Sequence, residues 1–586
     1  MTAGRSRKEG KEMTGRAYIY TEANDCQDCY KCIRECPVKA IRMENHSASV
    51  IQENCIYCGH CTSACPVGAK QVREDVSRVK YLIEGDDPVI VSLAPSYISE
   101  FPEYTPGEFA GMLVSLGFSS VSETALGAEM VSAAIRESQL LRTPGIHISP
   151  CCPSVLDLIH KYHPEHAHKI IELDTPMLAH GKYLKSLYGE NARVVFIGPC
   201  IAKKKEADLN PGIIDAVITF KRLRRWMEEE GIFHGEDAGV RSAEFVPYTA
   251  TDGKLYPVER GMIGGIKGSN DHEDIAYLSY SGTEKILPIL SNLEDLEGDS
   301  PVFLELMSCA GGCVNGPGTT KNHSLAGKEL QVVNYWRRQG VGHGGFSIPQ
   351  ISLVNQHDGY EHLQISRPGE SEINEILLSI GKKHKEDEFN CGGCGYENCR
   401  DFAMAVFSGK AESTMCISYM RRLAQDKATV LLQRMPYGVV IVNRKMQIVE
   451  SNRNFAELLG EEVLRQHDAD PGLEGYDLRE LVPFHLYFSA IFSSGDAYFE
   501  KDIRFRDQFL HLSVFALEGK NMICAMLHNL RAPELNRAEM VKRTRKVIRE
   551  NLETVQKIAF YLGENASNME TLLNSMVDIQ KEDYDE

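Results

Sequence analysis

Eighteen cysteines lie along the 586 residues, and all but Cys200 and Cys524 fall into closely spaced groups. Two runs repeat one pattern, Cys-x2-Cys-x2-Cys-x3-Cys-Pro: Cys26, Cys29, Cys32, Cys36-Pro37, then Cys55, Cys58, Cys61, Cys65-Pro66. Three strings far apart each follow an apolar run. They are Ser149-Pro150-Cys151-Cys152-Pro153, Gly198-Pro199-Cys200-Ile201-Ala202-Lys203-Lys204 and Leu306-Met307-Ser308-Cys309-Ala310-Gly311-Gly312-Cys313. A last group is Cys391-x2-Cys394-x4-Cys399-x16-Cys416. Thiolates are soft ligands, and at this density they suit iron–sulfur clusters. Structural zinc does not favour a tight cysteine triple followed by Cys-Pro. In a large chain without an export signal, such spacing reads as metal ligation rather than disulfides.

The elements that must hold these groups follow from periodicity. Residues 85–370 alternate short apolar runs with helical patterns, as an α/β domain does. Its runs PVIVSLAPS (88–96), RVVFIGPC (193–200) and PVFLELMSC (301–309) each lead into a chemically loaded loop. Such loops lie beyond the carboxyl ends of strands, where open α/β sheets collect ligands.

Composition narrows the function. The chain is 43% hydrophobic and 25% charged, enough for a buried core, and its length suggests several domains. A net charge of -18 argues against nucleic acid or an anionic membrane as the main partner. No apolar run is long enough to span a bilayer. Residues 1–20 read as a disordered tail without an apolar signal core, so a reducing cytoplasm, in an anaerobe, is the expected compartment.

The paired runs resemble two-cluster bacterial ferredoxins, in which the fourth cysteine of each run serves the other cluster. That resemblance assigns Cys26, Cys29, Cys32 and Cys65 to one 4Fe-4S cluster, and Cys55, Cys58, Cys61 and Cys36 to a second. With the three loops, residues 20–370 resemble the iron-only (FeFe) hydrogenases, whose H-cluster joins a 4Fe-4S unit to a diiron subsite carrying CO, CN and a dithiolate amine. The resemblance implies that Cys152, Cys200, Cys309 and Cys313 hold the 4Fe-4S part, with Cys313 bridging to the diiron subsite. It implies that Cys151 passes protons, that Lys203 donates to a cyanide, and that Met307 packs beside the subsite. Pro95 and Ser96 would line it. Inert buried cysteines are the plainer reading. A cluster-assembly relative without the diiron unit is a sharper alternative, and Cys151 and Lys203 oppose it.

The chain departs from the family at informative positions. Catalytic members read Thr-Ser before the cysteine pair and tryptophan after it, where this chain has Ser149-Pro150 and Val155. Gly198 replaces a methionine, and Pro317 interrupts a glycine run. Two proton-channel glutamates follow a Gly-Ala-acidic turn in the family. Here the turn reads Gly127-Ala128-Glu129, the glutamate positions read Ile135 and Ser138, and Glu137 lies nearby. A Ser-Pro step of that channel corresponds to Thr175-Pro176. The expectation is a retained diiron pocket with a different proton route and slow turnover.

Cys391, Cys394, Cys399 and Cys416, in residues 388–425, resemble single 4Fe-4S modules of anaerobic redox proteins, with zinc as the alternative. Residues 435–460 resemble the opening of a PAS domain, read over 428–530. GVVIVN and QIVESN are its first strands, and 511–517 and 522–530 later ones. PAS domains bind haem, flavin, a small molecule or only each other. His511 and His528 read as ordinary strand or rim residues, and Cys524 as a buried apolar one. Residues 534–580 read as one long helix. Val541, Ile548, Val555, Leu562, Met569 and Met576 recur every seven residues, as either a dimeric coiled-coil seam or a helix lying on its own protein.

The expected architecture is therefore multidomain, α/β and α+β. In order it has the tail (1–20), a two-cluster ferredoxin-like domain (21–80), the H-cluster domain (85–370), the 4Fe-4S module (388–425), the PAS domain (428–530) and the helix (534–580). The reading is a sensory FeFe hydrogenase acting on H2 and protons, a homodimer that signals to a separate kinase or phosphatase. The alternatives are a catalytic hydrogenase exchanging electrons with a ferredoxin, and a non-catalytic iron–sulfur scaffold. Four 4Fe-4S units and one diiron unit would give about 18 irons per chain.

Overall fold

The computed structural model describes residues 17–530 except 45, 139, 233–241, 268–273, 321, 339–347, 358, 361, 364–367, 495–497 and 518–520. The expected tail up to residue 16 and the helix at 534–580 lie outside the described residues. The chain divides into two compact units, residues 1–420 and 421–586.

The first unit opens with the repeated cysteine runs. Strand β1 (Ile19–Thr21) pairs antiparallel with β4 (Lys70–Val72), and β2 (Ile41–Glu44) with β3 (Ser47–Val50). The first strand thus begins at Ile19, inside the segment read as tail, because Ile19 is fully buried in the core. Each run forms one short helix, Lys31–Glu35 or His60–Ala64. Each helix follows a left-handed residue, Tyr30 or Gly59, and stops one residue before the fourth cysteine. It stops there because the next residue is proline, which pushes Cys36 and Cys65 into extended backbone.

Among the described residues the central domain holds two parallel sheets. One has the order β6-β5-β8-β9, from β5 (Val89–Leu93), β6 (Ser120–Glu123), β8 (Arg193–Gly198) and β9 (Ala216–Thr219). The other has the order β10-β11-β7, from β7 (Gly145–Ile148), β10 (Ala276–Ser281) and β11 (Pro301–Met307). Every residue of β5 and β11 is buried, as expected for parallel strands covered on both faces. The helix Val76–Ile83 packs Val76 and Val79 into the central core, so this domain claims residues that the sequence assigned to the ferredoxin-like segment.

The cysteine module at 391–416 is not a separate body. Its helix Cys399–Phe407 packs on Glu370–Ser379, and together they share one hydrophobic core with the ferredoxin-like segment. Ile33, Leu377, Tyr396 and Phe402 meet in that core. Gly395, at φ +95, lies so close to Ile33 that a Cβ would fall 2.9 Å from its Cγ2. The Lys39 ammonium donates to the carbonyls of Ile33, Arg34 and Gly395, which fastens the module loop to the first short helix.

In the second unit, β12 (Gly438–Asn443), β13 (Ile448–Ser451), β14 (Tyr498–Phe505), β15 (Gln508–Ala516) and β16 (Met522–Asn529) form one antiparallel sheet of order β13-β12-β16-β15-β14. Helices between β13 and β14 bring Phe455, Leu478 and Phe488 onto its apolar side. Asn452 caps the first of them, accepting from the Val439 and Phe455 amides and donating to the carbonyls of Leu432 and Tyr437.

Gly59 joins the ferredoxin-like segment to the central domain. It has φ +77, and an added Cβ would fall 2.4 Å from Pro317 Cβ. Gly59→Ala is predicted to cost about 1–3 kcal/mol through backbone strain and overpacking. Chemical denaturation of both proteins checks this; an unchanged unfolding midpoint would contradict the contact.

Candidate metal centre

The three cysteine loops start where β7, β8 and β11 end, and they converge on one cavity with an empty volume of ≈ 740 Å³. Cys151, Cys152, Cys200, Cys313, Lys203, Met307, Pro95 and Ser96 all line it. Cys309 is not among the lining residues, but its thiol lies within electrostatic range of Cys313, Cys200 and Cys152. Burial, and then the charge of neighbouring thiols, Cys313 on Cys309 and Cys152 on Cys313, pushes both well above the ordinary thiol range. Cys200 is pushed up to about 11 by burial and Cys152, against a lowering from Lys203. Four thiols this close and this dry are stable only when protonated or bound to a metal.

Lys203 reaches the cavity from the helix Ala202–Leu209 that follows the second loop. Its ammonium donates to Thr175 Oγ1 at 2.8 Å and pairs with Glu206 at 2.7 Å. Thr175 also caps the helix Pro176–Tyr188, so the Thr-Pro step holds the lysine. Two further polar atoms on the cavity wall are buried without a partner among the described residues, Ser96 Oγ and Glu305 Oε2. A thiol quartet beside a cavity walled by apolar side chains, one ammonium and orphaned polar atoms fits a cluster with a polar appendage.

Cys151 faces the same cavity. Its N–H donates to Ser149 Oγ, and its thiol and the Ser149 hydroxyl both donate to Met262 Sδ, at 3.5 and 3.2 Å. Burial pushes Cys151 up to about 12, although Ser149 and Lys203 pull the other way, so the thiol keeps its proton at neutral pH.

The helix expected to carry channel glutamates carries none towards the cavity. The Gly-Ala-Glu step is not a turn but the first turns of the helix Ala125–Glu137. Ile135 is buried in an apolar cluster, Glu137 is exposed, and Ser138 ends the helix by donating to Ile135 O. Glu129 turns away to accept from Thr251 and Gly253 amides.

A different carboxyl lies on the cavity wall. Glu305, in the buried strand β11, is 2% exposed and accepts from Met262 N at 3.0 Å. Burial raises it to about 7, against hydrogen bonds from the Ser279 side chain and the Met262 and Arg260 amides. Ser279 is its partner across the β10–β11 ladder, and it is half-buried, while Glu259 and Arg260 beyond it are exposed. Sequence reasoning missed Glu305 and Met262. The available signal was the single acid in the otherwise apolar PVFLELM, since an unpaired charge is rarely buried without a role.

The outer cysteines gather as well. Cys26, Cys29, Cys32 and Cys65 line a second pocket with an empty volume of ≈ 360 Å³. Cys58 feels Cys36, Cys55 and Cys61, and Cys61 feels Cys32. Cys58 also bears on Cys309, which puts the second set beside the central cavity. Cys394 lies near Cys416 and Cys391, while Cys399 and Cys416 are buried in the shared core. Cys524 is a buried strand residue, and His511 bonds Asp502 on the surface.

Comparison with known proteins places these segments. Residues 87–317 match the family described as iron only hydrogenase large subunit, C-terminal domain. Residues 18–66 match the 4Fe-4S dicluster domain, and residues 387–418 an Fe-S cluster family. Iron hydrogenase 1 of Clostridium pasteurianum is 25% identical over 383 residues, covering 54% of this chain and 65% of that protein's length. An uncharacterized ferredoxin of Methanocaldococcus jannaschii is 33% identical over 49 residues, covering 8% of this chain and 79% of that protein. Among solved structures, a variant of the FeFe-hydrogenase HydA1 from Chlamydomonas reinhardtii covers 44% of this chain and 88% of its own, at 20% identity and a TM-score of 0.35. Among the described residues no helix is long and apolar enough to cross a membrane.

The raised Glu305 carboxyl makes a stability prediction. A group whose folded value lies above its unfolded one favours the fold at low pH, and that contribution is lost as pH rises through about 7. In cluster-free protein, Glu305→Gln should match the parent near pH 4 and become more stable by about 3 kcal/mol above pH 7. Urea titrations across pH test this; a difference independent of pH would contradict it.

Proposed function

We propose, for a chain whose residues 87–317 match the iron-only hydrogenase family and whose residues 18–66 match a 4Fe-4S dicluster domain, that it is a sensory FeFe hydrogenase catalysing H2 ⇌ 2H+ + 2e−. The observation that carries this reading is the convergence of Cys151 and Lys203 on the same cavity as the thiol quartet. A cluster scaffold without a diiron unit would have no use for either. When bound, the H-cluster would supply the redox chemistry and the place where dihydrogen is split or made.

The protein's own residues have separable tasks. Cys152, Cys200, Cys309 and Cys313 would hold the 4Fe-4S part, and Cys313 would also touch the diiron subsite. Lys203, fixed by Thr175 and Glu206, would donate a hydrogen bond to a cyanide, and the buried Ser96 hydroxyl offers another. Met307 and Pro95 exclude water from the wall. Cys151 would carry the proton at the cavity. Glu305, near 7, would take the place of the absent channel glutamates, because a carrier works best when its pKa lies near the working pH. Ser279 and then exposed Glu259 would continue the path outward.

Electrons would pass from the quartet to the Cys36/Cys55/Cys58/Cys61 set, whose Cys58 adjoins Cys309, and on to the other 4Fe-4S sets. The five-stranded sheet of the second unit, with its helices over the apolar side, supports the PAS reading of residues 428–530. The helix Ile417–Arg434 starts directly after Cys416 and ends just before β12, a continuous covalent link from the last cysteine ligand into that domain. Signal would leave through residues 534–580 of a homodimer to a separate kinase or phosphatase in the cytoplasm. Exchange with a soluble ferredoxin is the second reading, favoured by exposed Cys29 in the outermost set.

Turnover of anaerobically matured protein tests the chemistry. Cys151→Ser and Glu305→Gln should each lower H2 oxidation by about 100-fold or more at unchanged iron content, since a positioned proton carrier contributes on that scale. In the parent, the rate should rise with pH through about 7 as Glu305 becomes able to accept a proton. Parent protein without H2 activity would overturn the assignment, and full activity in both variants would overturn the proton route.

A further inference from the structure

Tyr396 belongs to the small cysteine module, two residues after Cys394, yet its side chain does not stay there. It is 3% exposed and enters the core shared with the ferredoxin-like segment, 5.8 Å from the Phe402 ring. The loop that delivers it is fastened by Gly395 against Ile33 and by Lys39 to Gly395 O, and the Lys39 ammonium stands 6.0 Å from the tyrosine ring. Its hydroxyl is buried and has no hydrogen-bond partner among the described residues. Two thiols bear on that hydroxyl, Cys394 and Cys36. The Cys394 sulfur accepts the backbone N–H of Tyr396, and the Cys36 sulfur accepts that of Ala40. Cys36 comes from the opposite segment and sits at the end of the helix on which the loop is seated.

A buried hydroxyl without a partner is costly and rare, and near a cluster site it points to an acceptor that the protein does not itself provide. Cluster sulfides and thiolate sulfurs are such acceptors. We propose that the Tyr396 hydroxyl donates a hydrogen bond to a sulfur of the cluster that Cys36, Cys55, Cys58 and Cys61 would hold. The small module thereby sets the potential of the cluster beside the central cavity. A hydrogen bond to sulfur stabilises the more negative, reduced cluster and raises its potential. Tyr396 is thus a positioning residue that acts on the electron path, and the inference rests on the iron–sulfur reading of these cysteines.

The test is an EPR-monitored redox titration of the full chain and of Tyr396→Phe, which keeps the ring on Phe402. The same titration in Cys394→Ser, which lacks the module's cluster, assigns the signals. The expected result is a more negative midpoint for the Cys36-containing cluster alone, at equal iron content. Unchanged midpoints with raised thermal stability would mean that the hydroxyl is unpaired even with clusters bound, and would overturn the proposal. A shift confined to the module's own cluster would also overturn it. A parent chain without 4Fe-4S signals would instead defeat the cluster assignment itself, and is recognised before any variant is compared.

Discussion

Cysteine sulfur buried out of reach of water governs how this molecule is put together. Desolvation raises Cys55, Cys58, Cys61, Cys309 and Cys313 far above the ordinary thiol range, and neighbouring thiols raise them further. A thiolate in such a place needs a metal to be stable, so cluster binding and folding are coupled. The surrounding structure serves this need. Proline ends the two short helices so that Cys36 and Cys65 turn towards the other run. Parallel strands end together so that three loops share one cavity.

The same constraint explains why the segments are not beads on a string. Gly59 against Pro317 brings Cys58 to Cys309, and Gly395 against Ile33 brings the small module onto the helix between Cys32 and Cys36. Both contacts allow backbone to approach where a side chain would hold the segments apart. Electron transfer depends steeply on separation, and the proposed function therefore uses the same close packing that keeps the sulfurs dry.

Much of the site was legible because thiol ligands are marked by spacing. Cys26 to Cys65, the three loops and Lys203 are each found from local strings, and the strands before the loops from apolar runs. Glu305 was not found that way. Its meaning comes from the β10–β11 register, which sets it opposite Ser279, and from a cavity built by residues far apart in the chain. The family pattern directed attention to Ile135 and Ser138, one of which is core and the other a helix end. The helix Glu370–Ser379 was also missed as part of the module, because only the shared core shows what its apolar face covers. Ile19 was assigned to the tail since three residues of strand leave too short a pattern to see.

The central claim is that the cavity between the three loops holds a diiron unit as well as a 4Fe-4S cluster. Infrared spectroscopy of the anaerobically matured chain tests it most directly, because iron-bound CO and CN− absorb where protein does not. The account predicts those bands in the parent, their loss in Cys313→Ser, and shifted CN− bands when Lys203 is replaced by alanine. A matured chain with its full complement of 4Fe-4S clusters and no CO or CN− absorption would contradict it.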